Sequence, residues 1–178
     1  MARRLATALF CVVQLMTFVA AQQLLPTLRA EMASLLFLCL TLAATMVHEA
    51  GHAIAVAATG ARLHAFVVWD IGYDFTKRHF GLQKSRGHRE IAGYVLYTLG
   101  DAGPGNTARA RIAAAGPLAN VVTGLGAFAL DPIAPGAILP NALTLFAILS
   151  VGIAIANLVP FPGSDGEVLR KSLWPTTR

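Results

Sequence analysis

The sequence predicts a membrane-embedded all-α bundle of about four transmembrane helices, with a small β-hairpin or re-entrant region between the second and third. Two observations predict this fold. Hydrophobic residues make up 56% of the 178 residues and charged residues only 13%, whereas soluble domains carry about 25% charged residues. Several stretches are also apolar over about the 20 residues that a helix needs to cross a bilayer core. We expect residues 1–178 to form one integral-membrane domain.

The N-terminal segment, residues 1–30, is predicted to contain the first helix, since a long apolar run follows Arg3 and Arg4. The same basic start, with the small residues 19–21 after the run, also fits a secretory signal peptide. Because the run is long for a signal peptide, we favour a retained helix or signal anchor over a cleaved segment.

The second helix is predicted over residues 33–59, and its only ionisable side chains are His48, Glu49 and His52. Ionisable groups at membrane depth are costly and usually functional. Their clustering within five residues therefore predicts that this helix carries the functional site.

A polar segment, residues 60–111, separates the second helix from the third and is predicted to carry the β structure. Residues 69–75 alternate between apolar and polar types, which predicts a strand. The apolar run 91–99 is too short to span a bilayer as a helix, so it predicts a second strand or a segment that dips into the interface. Residues 76–89 are basic and polar and are expected at the tip of a hairpin.

Two more helices are predicted after this segment. The third covers residues 112–130, and the fourth lies within residues 139–166, a region that also carries an acidic motif. Pro160 and Pro162 are expected to end the fourth helix, because proline lacks the N–H donor and clashes with the preceding turn.

The net charge of +5 is explained by membrane topology. If four spans alternate, every lysine and arginine except Arg29 falls on the same side of the membrane. This positive-inside pattern predicts a multi-pass protein of the plasma (inner) membrane, with both termini and the long loop in the cytoplasm. It leaves no reason to expect nucleic acid as a partner, and it makes the lipid bilayer the partner of the basic loop.

The motif HEAGH at residues 48–52 predicts a metal site. On a helix, positions i and i+4 lie one turn apart on the same face, so His48 and His52 can bind one metal ion. Glu49 can then take a proton from a water molecule that the metal polarises. The alternative is a pair of neutral histidines hydrogen-bonded between helices, which leaves the spacing unexplained. We predict one zinc ion per chain.

A catalytic zinc needs a third protein ligand and one open position. Asp165 is the preferred third ligand, because the prolines before it let the chain bend back towards the second helix. The weaker alternatives are Glu167, His64, Asp70 and Asp74.

Two amides near these motifs are candidates for contact with the substrate. Asn120 follows a stretch of small residues that allows close helix packing, and Asn157 precedes the acidic motif. Each can hold or polarise a substrate backbone, and each can equally serve ordinary helix packing.

Three motifs follow one another along the chain: HEAGH at 48–52, AGPLAN at 115–120 and NLVPFPGSDG at 157–166. In this order they resemble the motifs of the site-2 protease family of intramembrane metalloproteases. The resemblance covers the second to fourth helices and the loop between them. The family has leucine before the metal-binding aspartate and two glycines after it. Here Ser164 precedes the aspartate, and Glu167 follows Gly166.

The resemblance implies that His48, His52 and Asp165 bind zinc and that Glu49 acts as general base. It implies an endopeptidase that cuts transmembrane or membrane-adjacent protein segments, as a compact member without a PDZ domain. Substrate selection would then rest on the membrane core, the loop or a separate regulatory membrane protein. The competing expectation is a non-catalytic membrane protein of the same fold that acts as a binding partner.

Overall fold

A computed structural model describes residues 2–83, 92–100 and 105–174 of the chain. Within these residues, the chain forms five α helices and one small antiparallel sheet, which packs against the second helix. The helices are α1 (Ala2–Leu24), α2 (Ala30–Ala58), α3 (Gly105–Leu130), α4 (Ile138–Leu158) and α5 (Asp165–Leu173), and the strands are β1 (Arg62–Val68), β2 (Ile71–Asp74), β3 (His79–Leu82) and β4 (Gly93–Thr98). A short 3-10 helix at Asp131–Ile133 joins α3 to α4.

Three of the described helices are long and apolar enough to cross a membrane: Ala30–Ala58, Asn106–Ile133 and Ile138–Leu158. Large apolar side chains on these helices point outward, including Ile54, Leu118 and Ile155, as expected where lipid replaces water as the solvent. The prediction of a mainly helical fold with a small sheet is therefore confirmed, and three of its helices are candidate membrane spans. α1 packs against α2 and α4, and its role as a fourth span remains a prediction.

A buried apolar cluster forms where α1, α2 and α4 meet. Its members are Ala21, Leu25, Ala33, Ala44, Leu145, Leu149 and Ile153. The cluster joins α1, α2 and α4 through apolar packing.

The contact between α2 and α3 depends on glycine. A Cβ atom on Gly51 would lie 2.8 Å from the Cβ of Ala119, and a Cβ on Gly116 would overlap the imidazole of His52. Small residues let helices approach closely in lipid. Here they bring α3 directly against the HEAGH turn of α2.

The helix bounds differ from the sequence prediction in two places. α3 begins at Gly105, where the sequence predicts a start at residue 112, because polar residues extend the helix beyond its apolar part. α4 ends at Leu158, just before the prolines. A separate amphipathic helix, α5, begins at Asp165, inside the predicted range 139–166, and continues past its end to Leu173.

The sheet has the strand order β3-β2-β1-β4, and all neighbouring strands are antiparallel. The prediction of one strand over residues 69–75 is wrong at its start. Trp69 and Asp70 have φ values of 51° and 62°, so they form the tight turn between β1 and β2, and positive φ at both central residues suits a two-residue hairpin.

Two further β predictions are resolved by the structure. The run 91–99 contains β4, which pairs with β1. The predicted hairpin tip, residues 76–89, contains β3 in its first part, while residues 84–90 lie outside the described part of the chain.

Candidate metal centre

Three ionisable residues of α2 are buried close together, where α3 and β4 pack against this helix. His48, Glu49 and His52 are 4%, 5% and 8% exposed. The two histidines are one helical turn apart, with ring centroids separated by 4.8 Å. Three such groups inside an apolar helix require partners, because a buried ionisable group is costly unless it is paired.

Asp165 reaches these histidines from the far end of α4. The chain leaves the helix at Leu158 and turns through Gly163, whose φ is +92°. Asp165 is then the first residue of α5. Gly166 is needed directly after it, since a Cβ there would overlap the Leu158 carbonyl.

Ser164 is the residue that builds this turn. Its hydroxyl donates to the Val159 carbonyl at 2.7 Å and accepts from the backbone N–H groups of Phe161 and Glu167, each at 3.1 Å. A serine that accepts from the N–H three residues on is a helix N-cap. Ser164 therefore has a structural role, since it starts the helix whose first residue is Asp165.

The side chains of His48, His52 and Asp165 face one another in a triangle. His48 Nε2 lies 3.1 Å from Asp165 Oδ2, His52 Nε2 lies 3.3 Å from the other carboxylate oxygen, Oδ1, and the two Nε2 atoms are 3.2 Å apart. With one ligand atom taken from each side chain, the three atoms all lie within 4.8 Å of one another. The three side chains are therefore close enough to hold one metal ion.

A hydrogen bond at the second ring nitrogen of His52 also supports a metal site here. His52 Nδ1 lies 2.7 Å from the carbonyl oxygen of Ile112. A carbonyl can only accept, so Nδ1 carries a proton, and in a neutral ring Nε2 then presents a lone pair to the triangle. Metal-binding histidines commonly donate their second N–H to a backbone carbonyl in this way. These three side chains can hold a metal ion.

A cavity of about 200 Å³ opens beside the triangle, and Glu49 lines it together with all three ligands. β4 also lines this cavity, through Gly93 and Tyr97 among others. A Cβ on Gly93 would lie 2.8 Å from Glu49 Oε1. Only a glycine at this point of the strand lets β4 pass so close to the glutamate.

The two predicted amides occupy different places. Asn157 lines the cavity, and its Nδ2 donates to the Ile153 carbonyl at 3.0 Å. Asn120 is fully buried on α3, where its Nδ2 lies 3.3 Å from His48 Nδ1. It thus contacts the back of a ligand and is not among the residues that line the cavity.

Among the described residues, the four alternative third ligands do not join the triangle. Glu167 accepts from the Gly163 N–H at 2.9 Å and pairs with Lys171 at 2.8 Å. His64 lies 2.9 Å from the Thr98 hydroxyl on the sheet, and Asp70 and Asp74 lie on the β2 side of that sheet.

Sequence reasoning missed Tyr97, which lines the cavity. Burial raises the pKa of Tyr97, against the opposing effect of the positive charge of Arg109. Its hydroxyl therefore stays protonated at neutral pH and can donate a hydrogen bond. The signal for this residue lay in the apolar run 91–99, but only the pairing of β4 with β1 brings it to the site.

Comparison of the chain with protein-family models, with curated proteins and with solved structures found no match. The chemistry of the site is therefore inferred from its own residues.

Proposed function

We propose that the chain is a zinc-dependent intramembrane endopeptidase of the site-2 protease type. The observation that carries this proposal is the presence of three metal-binding side chains and one buried carboxylate, Glu49, around a single cavity. Two histidines and a carboxylate, with an open position beside them, are typical of catalytic zinc sites in peptidases. The HEAGH spacing adds the glutamate that such hydrolysis needs.

Each residue has a role in the proposed reaction. His48, His52 and Asp165 would hold the zinc ion, which when bound polarises water and the substrate carbonyl. Glu49 accepts a proton from the attacking water as the new C–O bond forms. The same carboxyl then gives this proton to the leaving nitrogen as the C–N bond breaks. The products are an amine and a carboxylic acid, which loses its proton to solvent at neutral pH.

The substrate would bind as an extended strand. Within the described residues, β4 forms one edge of the sheet, and its Gly93, Tyr94, Val95 and Tyr97 line the cavity. An extended peptide can add to such an edge through main-chain hydrogen bonds. A transmembrane or membrane-adjacent segment must unwind to do so, which also exposes its peptide bond. An amide has two N–H donors, so Asn157 can donate one to the substrate while the other binds Ile153.

We further propose that α1 is a fourth span and that the chain lies in the plasma membrane with both termini in the cytoplasm. The positive-inside pattern supports this orientation, and Arg62, Arg109 and Arg111 are exposed, beside the sheet and at the start of α3. A separate regulatory membrane protein would supply substrate selection beyond the cavity itself.

The test is cleavage of a panel of single-span reporter proteins, reconstituted with the purified chain in lipid vesicles. We expect one or more reporters to be cut within or beside the span, as mapped by mass spectrometry. A chelator should abolish the cut, and added zinc should restore it. Cleavage that survives complete removal of metal would contradict the proposal, and bound zinc without cleavage of any reporter would favour a binding role for the same fold.

A further inference from the structure

Asn120 is the polar side chain most deeply buried at the back of the metal centre. It lies on α3, is 0% exposed, and contacts His48 through the ring nitrogen that faces away from the triangle. The other end of its amide, Oδ1, has no hydrogen-bond partner. Buried polar groups are nearly always satisfied, so an amide held at one end only calls for a functional explanation.

The contact with Asn120 decides which nitrogen of His48 carries the proton. If the amide nitrogen faces His48, it donates to Nδ1, and the ring proton then lies on Nε2, which is 3.1 Å from Asp165 Oδ2. A metal ligand needs the reverse, because Nε2 must present a lone pair and Nδ1 must then donate. Only the oxygen of the amide can accept that proton.

The tautomer of a neutral His52 is fixed, since its Nδ1 faces the carbonyl of Ile112. A backbone carbonyl is an acceptor in every state of the protein. An asparagine side chain can present either a donor or an acceptor after rotation by 180° about its last bond. Because the far end of the Asn120 amide has no partner, no second hydrogen bond holds it in one orientation.

We propose that Asn120 is a positioning residue for His48 whose amide oxygen accepts the Nδ1 proton. This hydrogen bond fixes the ring and leaves Nε2 to bind the metal. This inference rests on the proposed metal site, and it assigns Asn120 to the ligand His48 rather than to the substrate.

The first experiment measures zinc affinity by competition with a chelator in two variants of similar side-chain size. Asn120→Leu removes the acceptor and should weaken zinc binding about 10- to 100-fold, the usual effect of losing such a partner. Asn120→Asp keeps an acceptor and should bind zinc within about threefold of the wild-type affinity, or more tightly. Ser150→Ala, which alters the other unpartnered buried side chain of the described residues, should leave the affinity unchanged.

Loss of affinity in Asn120→Asp equal to that in Asn120→Leu would mean that the amide serves packing only, and would overturn the inference. So would wild-type affinity in Asn120→Leu. A thermal unfolding measurement on each variant identifies any loss that comes from misfolding.

The second experiment uses nitrogen NMR of the histidine rings to determine which nitrogen of His48 carries the proton. It does not require enzymatic activity. In the metal-free wild type, His48 should be protonated on Nδ1, which lies 3.3 Å from the Asn120 amide. In metal-free Asn120→Leu it should be protonated on Nε2, which faces Asp165, and His52 should be protonated on Nδ1 in both. An unchanged His48 tautomer would overturn the inference even if zinc binds. Failure of the wild type to bind any metal would instead count against the proposed function, and this NMR comparison would still test the role of Asn120.

Discussion

The imidazole of His52 fills the space that a side chain on Gly116 would occupy. A Cβ built on Gly116 would lie 2.6 Å from Cε1 and 2.8 Å from Cδ2 of the ring. α3 therefore passes across the face of a proposed metal ligand with no room for even a methyl group, and this contact holds the ring between α3 and the triangle.

Substitution Gly116→Ala should displace His52 and weaken zinc binding at least about tenfold, since small errors in ligand placement strongly reduce affinity. Chelator competition measures the effect. Gly126→Ala is the matched control, because it lies on the same helix and a Cβ there would have no neighbour within 4 Å. Equal affinity in the two variants would show that the Gly116 contact is irrelevant to the ligand.

Removal of a ligand should remove the metal. His48→Ala and Asp165→Ala each leave two protein ligands, fewer than a zinc site in a protein normally has, so the purified variants should contain little zinc. His64→Ala, which alters a histidine bonded to Thr98 on the sheet, should retain it. Elemental analysis of the three variants decides the point. If Asp165→Ala kept its zinc, another residue would have to be the third ligand.

Substitution Ser164→Ala should destabilise the turn that carries Asp165. It removes the N-cap of α5, which contributes about 0.5–2 kcal/mol to stability, and the buried hydroxyl also bonds to Val159 and Phe161. We expect a lower free energy of unfolding together with weaker zinc binding. Ser172→Ala, in the last turn of the same helix, should change neither. A destabilised Ser164→Ala variant with unchanged zinc affinity would argue against a role of this turn in placing the ligand.

The β2–β3 hairpin should lie against the lipid surface through one face. Ile71 pairs with Leu82 and Tyr73 with Phe80, so these apolar side chains share a face, and Phe80 and Leu82 are 68% and 80% exposed. The opposite face carries Asp74 paired with His79.

A fluorescent probe on Leu82→Cys should therefore be quenched by brominated lipids, and one on His79→Cys should be quenched much less. Both would be made in a background without Cys11 and Cys39, which are exposed. Equal quenching at the two positions would contradict this placement of the sheet.

The membrane helices and three of the site residues could be predicted from the sequence because their signals are local. Apolar runs of bilayer length identify α2, α3 and α4, and HEAGH identifies both histidines and Glu49 by helical spacing alone. Asp165 could be predicted because the prolines before it require a bend. These features depend on residues close together in the chain.

The parts that could not be predicted depend on contacts between distant segments. β1 lacks a clean alternation, since Val67 and Val68 are both buried, and the turn at Trp69 and Asp70 contains no glycine or asparagine. The contact between Asn120 and His48 depends on how closely α3 approaches α2. The sequence marks Asn120 as a buried amide, but only the packing shows what it contacts.

The most direct test of the central claim compares wild type with Glu49→Gln in the same preparations, with zinc content and reporter cleavage both measured. Glutamine keeps the size of the side chain but cannot take a proton from water. We predict about one zinc per chain in both proteins, and cleavage in the wild type only. Cleavage by Glu49→Gln at the wild-type rate would contradict the account, as would a wild type that cuts a reporter without containing zinc.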